Sequence, residues 1–144
     1  MENITVPIHY LAMLAAAVAS MVFGFLWYGP MFGKAWMKEM GMSKDKMDAA
    51  MKKGAGKSYG MMFVGSLVMS YVLAHATIFA GTYFKITGIS AGLMSGFWNW
   101  MGFVAPVALG SVLWEGKSWK LWVLNNGYYL VTLLVMGTLL SVWR

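Results

Sequence analysis

VPIHYLAMLAAAVASMVFGFLWY, residues Val6 to Tyr28, contains no Asp, Glu, Lys or Arg, and three later stretches meet the same condition: Ser58 to Phe84, Ala91 to Trp114 and Leu121 to Trp143. Crossing the apolar core of a bilayer as a helix takes about 20 apolar residues, and each stretch is long enough. The reading is therefore all-α: an integral membrane four-helix bundle, a single membrane domain over residues 1–144. With 60% hydrophobic and 11% charged residues, the chain is far below the roughly one-quarter charge of water-soluble domains. Only one connection, Pro30 to Lys57, is large enough to hold structure outside lipid, so there is no room for a separate soluble domain. The first stretch is too long for the apolar segment of a cleavable signal and lacks a basic start, so it reads as the first span.

That connection, PMFGKAWMKEMGMSKDKMDAAMKKGAGK, holds seven of the eleven basic residues: Lys34, Lys38, Lys44, Lys46, Lys52, Lys53 and Lys57. Lys117 and Lys120 join them near the 3–4 connection, leaving Lys85 and Arg144 opposite. The positive-inside rule then puts the 30–57 loop in the cytoplasm and both termini outside it. Trp27, Tyr28, Tyr83, Phe84, Trp98, Trp114, Trp119, Trp122 and Trp143 lie near span ends, where amphipathic rings favour the interface. A net charge of +6 clustered beside spans fits anionic lipid headgroups rather than nucleic acid, at about 1 kcal/mol per basic residue near the surface. Gly29-Pro30 should end the first helix. Beyond it, Ser43 can cap a short amphipathic helix with Met47, Ala50 and Met51 on one face, ended by Gly54 and Gly56.

Helices in lipid pack closely where small residues recur every four positions. Ala12, Ala16, Ser20 and Gly24 form such a stripe in the first span; Gly88, Gly92 and Gly96 form one entering the third. Ser66, Ser70 and Ala74 in the second span and Gly137 with Ser141 in the fourth offer further seams. The stripes leave open whether the facing helix belongs to this chain or to another copy. Pro106 removes a hydrogen bond to the carbonyl near Gly102 and should kink the third span. Leu26-Trp27-Tyr28-Gly29 and Leu113-Trp114-Glu115-Gly116, each followed by Lys and Trp, suggest a repeated hairpin, although interfaces commonly collect these residues.

Leu26-Trp27-Tyr28-Gly29-Pro30-Met31-Phe32-Gly33-Lys34-Ala35-Trp36, then Glu115-Gly116-Lys117-Ser118-Trp119-Lys120-Leu121 and Asn125-Asn126-Gly127-Tyr128-Tyr129, closely resemble the bacterial domain-of-unknown-function family 1761. The resemblance covers almost the whole chain and implies a four-span protein of the bacterial cytoplasmic membrane. It brings no established activity and no catalytic residues.

Polar side chains inside lipid are candidates for function because they are costly there. His75 and Asn99 fall at matched depths on adjacent antiparallel spans, where a pair could relay a proton or bind a small solute; a register-fixing hydrogen bond is the simpler reading. A second cluster is expected on the cytoplasmic face. Trp27, Tyr28, Lys34 and Trp36 arrive from the first span, with Glu115, Lys117, Asn125 and Asn126 from the third and fourth. Together they could line a headgroup-sized pocket, Lys34 meeting an anionic group, or simply anchor the interface with Glu115 paired to Lys117.

The absence of cysteine excludes disulfides and sulfur-based zinc sites. Met37, Met40 and Met42 have thioether spacing but no Cys or His partners, so no metal or cofactor is expected. The five acids, Glu2, Glu39, Asp45, Asp48 and Glu115, lie outside the spans and form no catalytic pair. The favoured function is a self-associating structural or accessory membrane protein with a cytoplasmic-face site for anionic lipid or another membrane protein. The alternative is a homo-oligomeric carrier or channel using His75 and Asn99; an enzyme is the weakest reading.

Overall fold

A computed structural model describes residues 5–144, every regular element of which is helical. Glu2, one of the five acids, lies outside the described residues. The first span is α1 (Tyr10–Leu26), continued by a π turn over Trp27–Met31. Two surface helices follow, α2 (Gly33–Met40) and α3 (Lys44–Lys52). The second span is α4 (Ala55–Phe84). The third comprises α5 (Gly88–Asn99), a π turn over Trp100–Val104, α6 (Ala105–Ala108) and α7 (Gly110–Leu113). The fourth is α8 (Trp119–Val142). The four spans contain 22, 30, 26 and 24 residues, and all are long and apolar enough to cross a membrane.

The first helix departs from the sequence reading at both ends. It begins at Tyr10 rather than Val6: Pro7 favours extended chain before it, and the His9 ring caps the helix by accepting from the Ala12 N–H at 3.1 Å. At the other end Pro30 does not stop the helix. The turn widens instead, with the Phe32 N–H reaching the Trp27 carbonyl five residues back at 2.8 Å. A wider turn moves the proline ring off the carbonyl it would strike and absorbs the missing donor. Pro106 acts in the same way. The expected kink is taken up by the π turn just before it, closed by the Ala105 N–H on the Trp100 carbonyl. Ser43 caps α3 as expected, its side chain accepting from the Lys46 N–H. Gly54 ends that segment at φ +150, but Gly56 lies inside α4, so the second span starts three residues earlier than its charge-free stretch.

The fourth span is the centre of the bundle and packs against all three others, α5 most extensively. The small-residue stripes are intramolecular seams. Ala12, Ala16 and Ser20 are buried, and the Ser70 hydroxyl donates to the Met13 carbonyl across the first and second spans at 2.8 Å. Gly24 leaves room for the Tyr128 phenol, which donates to the Ser20 carbonyl at 3.2 Å. Gly92 and Gly137 bring the α5 and α8 backbones so close that a Cβ on either would fall within 3 Å of the other's carbonyl oxygen. Gly96 meets the Leu133 backbone in the same way, and the Ser141 hydroxyl donates to the Gly88 carbonyl. Met136, Leu133, Leu140, Leu73 and Ala74 fill the core beside this seam.

The two proposed repeat motifs have different backbones. Trp27 to Gly29 lies in a π turn, whereas Trp114 to Gly116 is a helix terminus, with Gly116 at φ +69 and the Lys117 N–H returning to the Ser111 carbonyl.

Candidate functional site: a cleft at the lysine-rich end

The third span lies tight against α8 along α5 and then parts from it. Its π turn and Pro106 redirect the chain, and the last two turns, α6 and α7, leave a cleft of about 270 Å³ against the first turns of α8. Val107, Ala108, Gly110 and Ser111 form one wall and Trp122, Asn125, Asn126 and Tyr129 the other, with Glu115 at the turn that joins them.

The asparagines explain why this wall is polar at a depth where leucine would be ordinary. Asn125 accepts from the Tyr28 hydroxyl at 2.8 Å, which ties the first span to the rim of the cleft. Asn126 is 1% exposed, and its amide nitrogen donates to the Trp122 carbonyl at 2.9 Å. Its Oδ1 has no partner, and neither has the Trp122 indole N–H; both atoms are buried. A buried polar group left unpaired costs about 1–3 kcal/mol; the Ser95 and Thr132 hydroxyls are unpaired elsewhere, but here a donor and an acceptor lie unpaired on one wall of the cleft.

Two tryptophans hold this section of α8 from opposite spans. The Trp27 indole N–H donates to the Leu124 carbonyl at 3.2 Å, and the Trp100 N–H to the Asn126 carbonyl at 2.9 Å. Each occupies the first position of a π turn reading Trp-x-Gly, Trp27-Tyr28-Gly29 and Trp100-Met101-Gly102. Trp27 also packs over Gly127, and Tyr28 meets Tyr128 edge-on at 5.1 Å. The wall is thus a fixed surface rather than a loose helix end.

The surface helices are attached to the same end through Glu39. One carboxylate oxygen accepts from the Ser118 hydroxyl, and the other lies 3.8 Å from the Lys120 ammonium. Ser118 in turn accepts from the Leu121 N–H and caps α8, so the negative charge sits at the positive end of that helix.

Of the residues singled out from sequence, Glu115, Asn125 and Asn126 line the cleft, Trp27 and Tyr28 buttress it, and Trp36 packs against Tyr28 at 6.0 Å. Lys34 and Lys117 are exposed and do not line it. Glu115 makes no ion pair with Lys117 among the described residues. His75 and Asn99 do not hydrogen-bond to one another. The His75 Nδ1 meets the Tyr71 carbonyl at 2.9 Å, which assigns it the proton, and the Asn99 amide donates to the Ser95 carbonyl at 2.8 Å. Both bonds stay within one helix. Sequence reading missed Glu39, Trp100 and Trp122 as site residues; the repeated Trp-x-Gly was the available signal for Trp100.

Comparison with curated proteins and with solved structures finds no match to this chain. The family described as protein of unknown function (DUF1761) matches residues 11–141, nearly the whole of the four-span bundle and both walls of the cleft, and the chain belongs to that family.

Proposed function

We propose that this is a structural or accessory membrane protein whose working surface is its lysine-rich end, placed in the cytoplasm, where it engages anionic lipid. The observation that carries this reading is the pair of surface helices. The Pro30–Lys57 segment holds seven lysines against three carboxylates, a net charge of +4, and one of those carboxylates, Glu39, is turned toward Ser118 and Lys120. None of the seven lysines has an acidic partner among the described residues. Helix α3 buries no residue in the bundle, leaving Met47, Ala50 and Met51 as an apolar side for the lipid boundary.

Self-association is part of the reading. With Ala12, Ala16 and Ser20 used inside the bundle, Ala15 and Ala19 remain at the floor of an outward groove on α1, between Leu11, Leu14, Val18 and Val22. Small residues flanked by branched ones are what a second copy of the same helix would pack against in lipid. A monodisperse monomer in mild detergent would contradict this part. A carrier built on His75 and Asn99 is disfavoured, because both side chains bond within their own helices.

The lipid reading is tested by native mass spectrometry of the protein offered phosphatidylglycerol or phosphatidylcholine. The combined Lys44→Gln, Lys46→Gln, Lys52→Gln and Lys53→Gln variant should lose its preference for phosphatidylglycerol, at about 1 kcal/mol for each lysine that touches the surface. An unchanged preference would refute the role of the helices. A reporter fused after Arg144 that is active only in the cytoplasm would refute the orientation.

A further inference from the structure

We propose that the cleft between the end of the third span and the start of the fourth binds a primary ammonium group joined by a short linker to a phosphate or carbonyl oxygen, a ligand of the phosphoethanolamine kind. The inference does not rest on the lysine helices and uses different residues.

Each part of the ligand answers a feature of the cleft. The Asn126 Oδ1 is a buried, unpaired acceptor and calls for a donor. The Trp122 N–H is a buried, unpaired donor on the same wall and calls for an acceptor oxygen. Glu115, at the turn, is a carboxylate without an ion-pair partner among the described residues, which selects positive charge and opposes a purely anionic group. The Trp122 and Tyr129 rings line the same cleft and can face a cation. One ligand supplies the donor and the charge with its ammonium and the acceptor with its neighbouring oxygen. Ordered water would satisfy the two unpaired atoms; an ammonium does the same and also places its charge beside the exposed Glu115 carboxylate. An ammonium with three N–H donors can serve Asn126 and Glu115 together, whereas its trimethylated counterpart offers neither of them a hydrogen bond.

The test offers the full-length protein phosphatidylethanolamine and phosphatidylcholine in equal amounts, with retained lipid read by native mass spectrometry. The expected result is about tenfold preference for phosphatidylethanolamine, as one hydrogen bond to a charged group provides. Glu115→Gln, which preserves shape, and Trp122→Phe, which removes the N–H together with part of the ring, should each cut that preference by roughly fivefold. The four-lysine variant should leave it unchanged while lowering phosphatidylglycerol retention, so failure of the lysine reading and failure of the cleft are told apart. Soluble glycerophosphoethanolamine separates two sources of the same chemistry: displacement of the lipid by it identifies a soluble ligand, and no displacement identifies the lipid headgroup. Equal retention of the two lipids, or a preference that neither cleft variant alters, would overturn the proposal and leave a water-filled cleft.

Discussion

The third and fourth spans meet along one seam that is built in two ways. From Gly88 to Gly96 it is closed: Gly92 and Gly96 rest on the Gly137 and Leu133 backbones, and Ser141 bonds to the Gly88 carbonyl. From Trp100 onward the same two helices part, and the facing wall carries an unpaired amide oxygen and an unpaired indole N–H. Lipid offers no hydrophobic force to press helices together, so close contact depends on small residues and on satisfied polar groups. The first half has the small residues and the Ser141 bond, with the Ser95 hydroxyl its one buried side-chain atom left unpaired among the described residues of α5. The second half has a π turn, a proline and bare polar atoms, and such departures from good packing in an otherwise well-packed bundle are where a ligand site is expected.

The contrast makes opposite predictions for substitutions on its two sides. The largest effect should come from Gly92→Leu, whose side chain has no space against Gly137; it should destabilise the bundle by about 3 kcal/mol, seen as a lower midpoint of thermal unfolding in detergent. Trp100→Phe removes the indole donor at the point where the seam opens and should cost about 1 kcal/mol by the same measurement. Asn126→Leu should go the other way, leaving stability unchanged or raised by up to about 1 kcal/mol while abolishing ligand selectivity, because it removes a buried acceptor that has no partner. If Asn126→Leu destabilised as much as Trp100→Phe, the two halves would not differ as described. The smallest effect is expected from Glu39→Gln, about 0.5 kcal/mol, read as faster hydrogen exchange in α2 with no change in the spans.

Sequence patterning revealed the spans because charge is excluded from lipid wherever the chain crosses it, and that signal depends on no neighbour. The stripes Ala12 to Gly24 and Gly88 to Gly96 were legible for the same reason: spacing of four places small residues on one face. What they face was not legible, since it depends on the arrangement of four helices; the answer is other spans of this chain. Pro30 misled because a proline near the end of an apolar run usually stops a helix, and the i to i+5 bond that carries the chain past it has no signature in the sequence. Part of the cleft was anticipated through Glu115, Asn125 and Asn126. Lys34 and Lys117 were grouped with them by depth alone, and depth does not determine which way a long side chain leaves the bundle. Glu39 looked like an ordinary surface acid; its contact with Ser118 joins residues 79 positions apart and leaves no local pattern.

The central claim, that the seam is closed at one end and open to a polar ligand at the lysine-rich end, is tested most directly by an experimental structure of the protein in nanodiscs containing phosphatidylethanolamine. The account predicts Gly92 and Gly137 in backbone contact, with a bound group bridging the Trp122 N–H and the Asn126 Oδ1 beside Glu115. A seam closed along its whole length, with those two atoms bonded to the protein itself, would contradict it.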